Sequence, residues 1–341
     1  MPATIRDVAR AAGVSIATVS HAHSGNRPVS ERARRRVVET SRRLGYRPSH
    51  LAQAMVTGRS KALGLIVPDI ANPFFPEIGR GAEDAAADRD YGVFLADSEL
   101  DPVEEQRYVD AFRAKGVDGL LYLAGTPMLG PALADAAAGG TPLVLVDEEL
   151  PVRGPRCGFV GVDNAGGGRF AAEHLLERGC RRPAVVGGPA RLPTAQARLG
   201  GFLSALADAG VELAGQRSAE AYVFEDGVTA GRALLGASPR PDGIFCANDL
   251  LAFGVASAAR EAGLSIPHDV AVVGFDNIFF ARLGDPPLTT VAQPMRDLGA
   301  AAANLLIDLI EGRPADRRQI LPVHLIERAS TRPKGGRHGH H

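Results

Sequence analysis

Apolar positions in the first 45 residues recur at helical spacing. Ile5, Val8, Ala9 and Ala12 share one face of "TIRDVARAA"; Ile16, Val19 and Ala22 do so in "IATVSHAH"; Ala33, Val37, Thr40 and Leu44 do so in a third segment. Polar residues stand where helices begin. Thr4 is followed three residues on by Asp7, and Ser15 and Ser30 are ready N-caps. Gly13 supplies a tight turn, "SGNRP" breaks the second helix, and Gly45 ends the third. Three short helices with a glycine turn between the first two form the helix-turn-helix pattern. After Pro48, Ser49 can cap one more short helix over 50–56, with Leu51 and Met55 one turn apart. About two turns is too short to be stable alone in water, so this helix needs a partner.

From residue 61 the period changes. Short apolar runs such as "KALGLIVPDI", "GVFLADS", "VDGLLYLA", "TPLVLVDEEL", "FVGVD", "RPAVVGG", "AEAYVF", "DGIFCAND" and "DVAVVGFDN" read as strands. Alanine-rich stretches of helical spacing separate them. This alternation predicts an α/β body of parallel sheets with helices on both faces. Ligands of such sheets bind beyond the carboxyl ends of the strands. The residues placed there are 69–75, Asp97, Asp147 with Glu148, Asp163, Phe224, Asn248 with Asp249, and Asp276.

Charge sharpens the division. Residues 1–60 carry eleven Arg, no Lys and three acids, a net +8 in a chain of net −1, so the remainder carries −9. A basic head on an acidic body suits a partner that presents phosphates at one end only. The exposed side of the second helix then acquires a meaning. Ser15, Ala17, Thr18, Ser20 and His21 are slim and able to hydrogen-bond, as a helix entering the major groove must be. The arginines around it, such as Arg6, Arg10, Arg34, Arg35, Arg42 and Arg43, would meet phosphates.

Other chemistries find little support. Cys157, Cys180 and Cys246 lack metal-ligand spacing, and no metal or cofactor is expected. "NAGGGRF" lacks both phosphate-loop patterns and reads as a close helix–strand approach. There is no GxSxG or HExxH, so an enzyme is not expected. No apolar run reaches 18 residues and no signal-peptide pattern opens the chain, which points to a cytoplasmic protein without a membrane partner. Residues 332–341 read as a disordered tail.

"TIRDVARAAGVSIATVSHA", "LGYRPSHLAQAM" and "TGRS" resemble the head and hinge of LacI-family transcription regulators, and the resemblance extends over about residues 4–331. It implies a ligand-responsive repressor that binds a near-palindromic double-stranded DNA operator as a homodimer. Base readout would fall to Ile16, Ala17, His21 and Arg27, and phosphate contact to Ser15, Thr18, Ser20 and Asn26. Paired hinge helices would enter the minor groove through Leu51, Ala52 and the apolar wedge Met55. Residues 1–58 would form the head and hinge, and 61–331 a two-lobed body like the periplasmic sugar-binding proteins. Its first lobe would take about 61–161 and 291–319, its second about 162–290 and 320–331.

The same resemblance assigns effector binding to Asn72, Phe74, Phe75, Asp147, Glu148, Arg198, Phe224, Asn248, Asp276 and Gln293. Carboxylates, amides and a guanidinium around aromatic faces suit a sugar or other polyol. Glu148 departs from the family pattern, since many sugar-binding relatives carry Arg there. Three carboxylates against one guanidinium disfavour an anionic effector. The competing reading is the solute-binding protein of a sugar transporter, which shares the body but lacks the basic head.

Overall fold

The structure, a computed structural model, describes residues 3–24, 27–46 and 58–331. Asn26, Leu51, Ala52, Met55 and the tail from 332 lie outside the described residues. The chain divides into two compact units, Met1–Lys61 and Ala62–His341.

The first unit holds α1 (Ile5–Ala12), α2 (Ile16–Ser24) and α3 (Glu31–Leu44). The Thr4 hydroxyl accepts from the Asp7 amide, and the Asp7 carboxylate accepts from the Thr4 amide, so both halves of the capping box are made. Ser15 and Ser30 accept from the amides of Thr18 and Ala33 in the same way. Gly13 and Gly45 sit at φ +63° and +65°, the left-handed conformation that ends α1 and α3 and that a side chain would strain. Val8, Ala9, Ala12, Val19, Ala22 and Val37 form the small core. Ile16, although in phase with Val19 and Ala22, stays outside it at 47% exposure.

The second unit is two lobes, each a six-stranded sheet among the described residues. The first sheet runs β11-β5-β4-β3-β1-β2, from β1 (Ala62–Val67), β2 (Gly92–Asp97), β3 (Gly119–Leu123), β4 (Leu143–Val146), β5 (Cys157–Val162) and β11 (Arg318–Leu321), all parallel. The second runs β12-β10-β9-β8-β6-β7, from β6 (Pro183–Gly187), β7 (Gly215–Ser218), β8 (Gly243–Cys246), β9 (Ala271–Asp276), β10 (Thr289–Ala292) and β12 (His324–Ile326). Within it only the β10–β12 pairing is antiparallel. Such an edge strand is common on an otherwise parallel sheet.

Helices cover both faces: α4 (Phe74–Ala87), α5 (Pro102–Ala114), α6 (Pro131–Ala138) and α11 (Met295–Glu311) in the first lobe, and α7 (Asn164–Glu177), α8 (Pro193–Asp208), α9 (Phe224–Leu235) and α10 (Asp249–Glu261) in the second. In "NAGGGRF", Gly167 faces the Phe275 ring of β9, and a Cβ on Gly168 would lie 2.0 Å from the Arg198 carbonyl oxygen of α8. The close approach is therefore both helix to strand and helix to helix.

Three boundaries differ from the sequence reading. Residues 291 and 292 pair with β9 and belong to the second lobe, whereas 320 and 321 pair with β5 and belong to the first, as does Val162. Strand membership follows the neighbour whose backbone groups are satisfied, which an apolar run does not display. "AEAYVF" is not a strand: β7 is the preceding polar segment "GQRS", a sheet edge exposed to solvent.

Candidate functional site

In the head, the predicted groove-facing residues share the outer side of α2. Ser15, Ile16 and Ala17 are exposed, and Thr18, Ser20 and His21 are half-buried. Ser15 Oγ and Thr18 Oγ1 lie 2.8 Å apart, which orients both hydroxyls. His21 Nδ1 is shielded from solvent without a partner. Arg27 is exposed beyond the helix, and Arg6, Arg10, Arg34, Arg35, Arg42 and Arg43 are exposed on α1 and α3. Only Arg10 and Arg35 have a carboxylate within ion-pair range among these described arginines, and both pairs are solvent-exposed. The remaining guanidinium groups are available to phosphates.

In the body, the carboxyl ends of both sheets open on a cleft cavity of about 80 Å³. Asn72, Phe74, Phe75, Asp147, Glu148, Arg198, Asn248 and Asp276 line it, so eight predicted residues from distant parts of the chain meet there. Asp147 follows β4 and Asp276 ends β9, from opposite lobes, and both have positive φ, +70° and +107°. A non-glycine residue held there costs about 1–3 kcal/mol and persists where surrounding structure demands it, often at a ligand site.

Arg198 is fixed on four sides. Its Nε donates to Asn164 Oδ1 at 2.8 Å, and its Nη1 donates to the Ala247 carbonyl at 2.8 Å. Nη1 also lies 3.5 Å from Asp276 Oδ1, and the guanidinium rests 3.9 Å from the centre of the Phe275 ring. Asn72 accepts from the Phe74 amide and Asn248 from the Leu251 amide, so each has its NH2 donor to offer an occupant.

Burial dominates the acids. It pushes Asp276 up to about 7 against the pull of Arg198 and of the Gln293 hydrogen bond. It pushes Glu148 up to about 7, reinforced by the Asp147 charge. Asp147 is raised by burial and held back by Arg198.

Two predicted residues are not in the lining. Phe224 is the first residue of α9 and lies against a separate depression with Phe253. Tyr222, two residues earlier, forms the aromatic wall instead, and its hydroxyl is buried without a partner. The acids Glu225 and Asp226 mark a helix start at 224, the signal that separates the two rings in the sequence. Gln293 sits behind Asp276, donating from Nε2 to Oδ1 at 2.8 Å. Arg191 also lines the cavity, so Arg198 is not its only guanidinium, and Arg191 Nη1 donates to the Glu220 carbonyl at 3.1 Å. Glu148 is 3% exposed and accepts from the amide and hydroxyl of Thr194.

The chain is similar to known proteins along nearly its whole length. Residues 172–331 match the periplasmic binding protein-like domain, and residues 4–49 match the bacterial regulatory proteins of the lacI family. The chain is 37% identical to the ribose operon repressor of Halalkalibacterium halodurans, over 98% of each chain. The chain belongs to the lacI family of bacterial regulatory proteins. It is also 35% identical to the HTH-type transcriptional repressor CytR of Escherichia coli K12, over 97% of this chain and 96% of that one. Among solved structures, the lac repressor dimer bound to operator and an anti-inducer superposes with a TM-score of 0.84 at 27% identity, covering 98% of this chain and all of that one. A LacI-family regulator from Enterococcus faecium with bound ribose superposes at 0.69 with 33% identity, over 80% of this chain and 99% of that one. With a lacI-family head and relatives that repress transcription over their whole length, the chain is a DNA-binding regulator and not an enzyme. No helix among the described residues is long and apolar enough to cross a membrane.

Proposed function

We propose that this regulator represses transcription in the cytoplasm as a dimer on a near-palindromic operator, and that a neutral sugar of pentose size in the cleft changes its affinity for DNA. One observation carries the effector reading. Asp147 Oδ1 and the Tyr222 hydroxyl are buried in the cavity without partners, beside the Arg198 guanidinium. Unsatisfied buried polar atoms are costly, and a polyhydroxylated ligand satisfies acceptors and donors together while its apolar face lies on an aromatic ring.

Ribose is the first probe, since one relative is a ribose operon repressor and one structural neighbour holds ribose. Burial already holds the three acids of the cleft above their ordinary values, and the negative charge of a phosphorylated or acid form of the sugar would meet the same penalty. Base readout through Ile16, Ala17, His21 and Arg27, and a minor-groove wedge at Met55, belong to the same proposal. Selection of bound duplexes from a random pool gives the operator, and calorimetry with D-ribose, ribose 5-phosphate and ribonate tests the cleft. Binding of D-ribose with release of operator is the expected result. Tighter binding of either anion overturns the charge argument.

A further inference from the structure

The N-terminus of α8 has an unusual cap. A helix leaves its first amides without intrahelical partners, and a polar side chain just before it normally accepts from one of them. Here the preceding residue is Leu192, which offers no acceptor, and the first residue is Pro193, which has no amide hydrogen. The first free donor of the helix is Thr194. Its amide donates to Glu148 Oε2 at 3.2 Å and its hydroxyl donates to Oε1, so both carboxylate oxygens are engaged. Glu148 follows β4 in the first lobe, whereas α8 lies in the second. The cap therefore comes from across the cleft.

We propose that Glu148 is a positioning residue: its carboxylate caps α8 from the opposite lobe and clasps the cleft closed before any effector enters. Three features make the clasp effective. A carboxylate at a helix N-terminus is favoured by the helix dipole as well as by its hydrogen bonds. The contact is buried, so water competes poorly for it. Thr194 and Arg198 are one turn apart on the same helix, so the clasp also sets where Arg198 stands relative to Asp147 of the other lobe. Both halves of the ligand site are thus aligned in advance. In the open form Glu148 and Thr194 are each hydrated, and α8 loses its cap.

The test uses the full-length chain without DNA or sugar, with Cys157→Ser to remove the half-buried thiol. Spin labels on Met128→Cys and Glu220→Cys, exposed positions of the two lobes, report the interlobe distance in dimers carrying one labelled subunit. The parent should show one short distance. Glu148→Ala and Thr194→Val should each add a longer one, and the double variant should resemble either single variant. Thr194→Ser keeps both donors and should retain the short distance, which a generally weakened fold would not predict. Thr194→Val leaves the acid in place and keeps the test valid if Glu148→Ala does not fold. An unchanged distance in Thr194→Val, or an equal opening in Thr194→Ser, overturns the proposal.

Discussion

At the scale of single residues, the cleft is a set of polar atoms held out of water with incomplete partnerships. The Tyr222 hydroxyl is the clearest case, because it is buried and unpaired without ligand. Tyr222→Phe should therefore act in opposite directions on two measurements. Affinity for D-ribose by calorimetry should fall by about 0.5–1.5 kcal/mol, the usual value of one hydrogen bond. The melting temperature of the ligand-free protein should hold or rise, because an unsatisfied group has been removed. Unchanged affinity would place the ligand away from this ring.

The acids carry a pH prediction of definite sign. Glu148 and Asp276 titrate near 7 in the folded chain, above their ordinary values of 4.5 and 3.8. Asp147, Asp249, Arg198 and Tyr222 are charged or titratable groups around them, with Thr194 and Gln293 as hydrogen-bond partners. A folded value above the unfolded one means that the native state binds more protons in the interval between them. Stability from these groups is complete below about pH 4 and is lost as pH rises through about 7. Melting curves of the ligand-free protein should fall between pH 5.5 and 8, and Asp276→Asn should flatten that fall. At this scale Asp147, Arg198 and Asp276 are legible in the sequence as residues at strand ends or in a recognised motif. Tyr222 is not, because "AYVF" reads as a short apolar strand while in fact leading into a helix.

At the scale of elements, glycine decides how closely helices pack. Gly168 of α7 lies where a Cβ would be 2.0 Å from the Arg198 carbonyl oxygen, whereas Gly200 of α8 has nothing within 4 Å. The two substitutions should separate cleanly by thermal denaturation. Gly168→Ala forces the α7–α8 pair apart at a cost of about 1–3 kcal/mol, and Gly200→Ala should stabilise by about 0.4–1 kcal/mol through the unfolded chain. For a unit of this size each kcal/mol is worth roughly 2–4 °C. Gly168→Ala should also weaken sugar binding, since it shifts the helix that carries Arg198. Helix caps are local, and Thr4, Ser15 and Ser30 could be assigned from neighbours three residues away. The cap of α8 could not, because its acceptor stands 46 residues earlier in the chain.

At the scale of the whole molecule, the function rests on two units of opposite charge. The head carries the surplus of arginine and should dominate affinity for DNA through counterion release. Operator binding should weaken steeply with salt, with Arg34→Gln and Arg42→Gln each reducing the log–log slope by about one unit where they contact phosphate. A flat salt plot would contradict the phosphate assignment. Sugar binding by the same protein should be nearly insensitive to salt, because the proposed ligand is neutral and Arg198 is buried. The coupling between the two must be reciprocal: if sugar weakens operator binding by some factor, operator weakens sugar binding by the same factor.

The helix-turn-helix head, the alternating α/β body, the charge division and seven of the cleft residues follow from the order of residues alone, because caps, turn glycines and apolar periods act over a few residues, whereas Arg198 came only through the resemblance to the LacI family. Which strand joined which sheet was decided by the tertiary structure, because backbone hydrogen bonds choose among distant partners of equal apolar character. So too were the exposure of Ile16, the exchange of Phe224 for Tyr222, the retreat of Gln293 behind Asp276 and the trans-lobe cap on Thr194. Each depends on where two segments remote in sequence come to lie, and the free energy that places them belongs to the packed whole rather than to either segment.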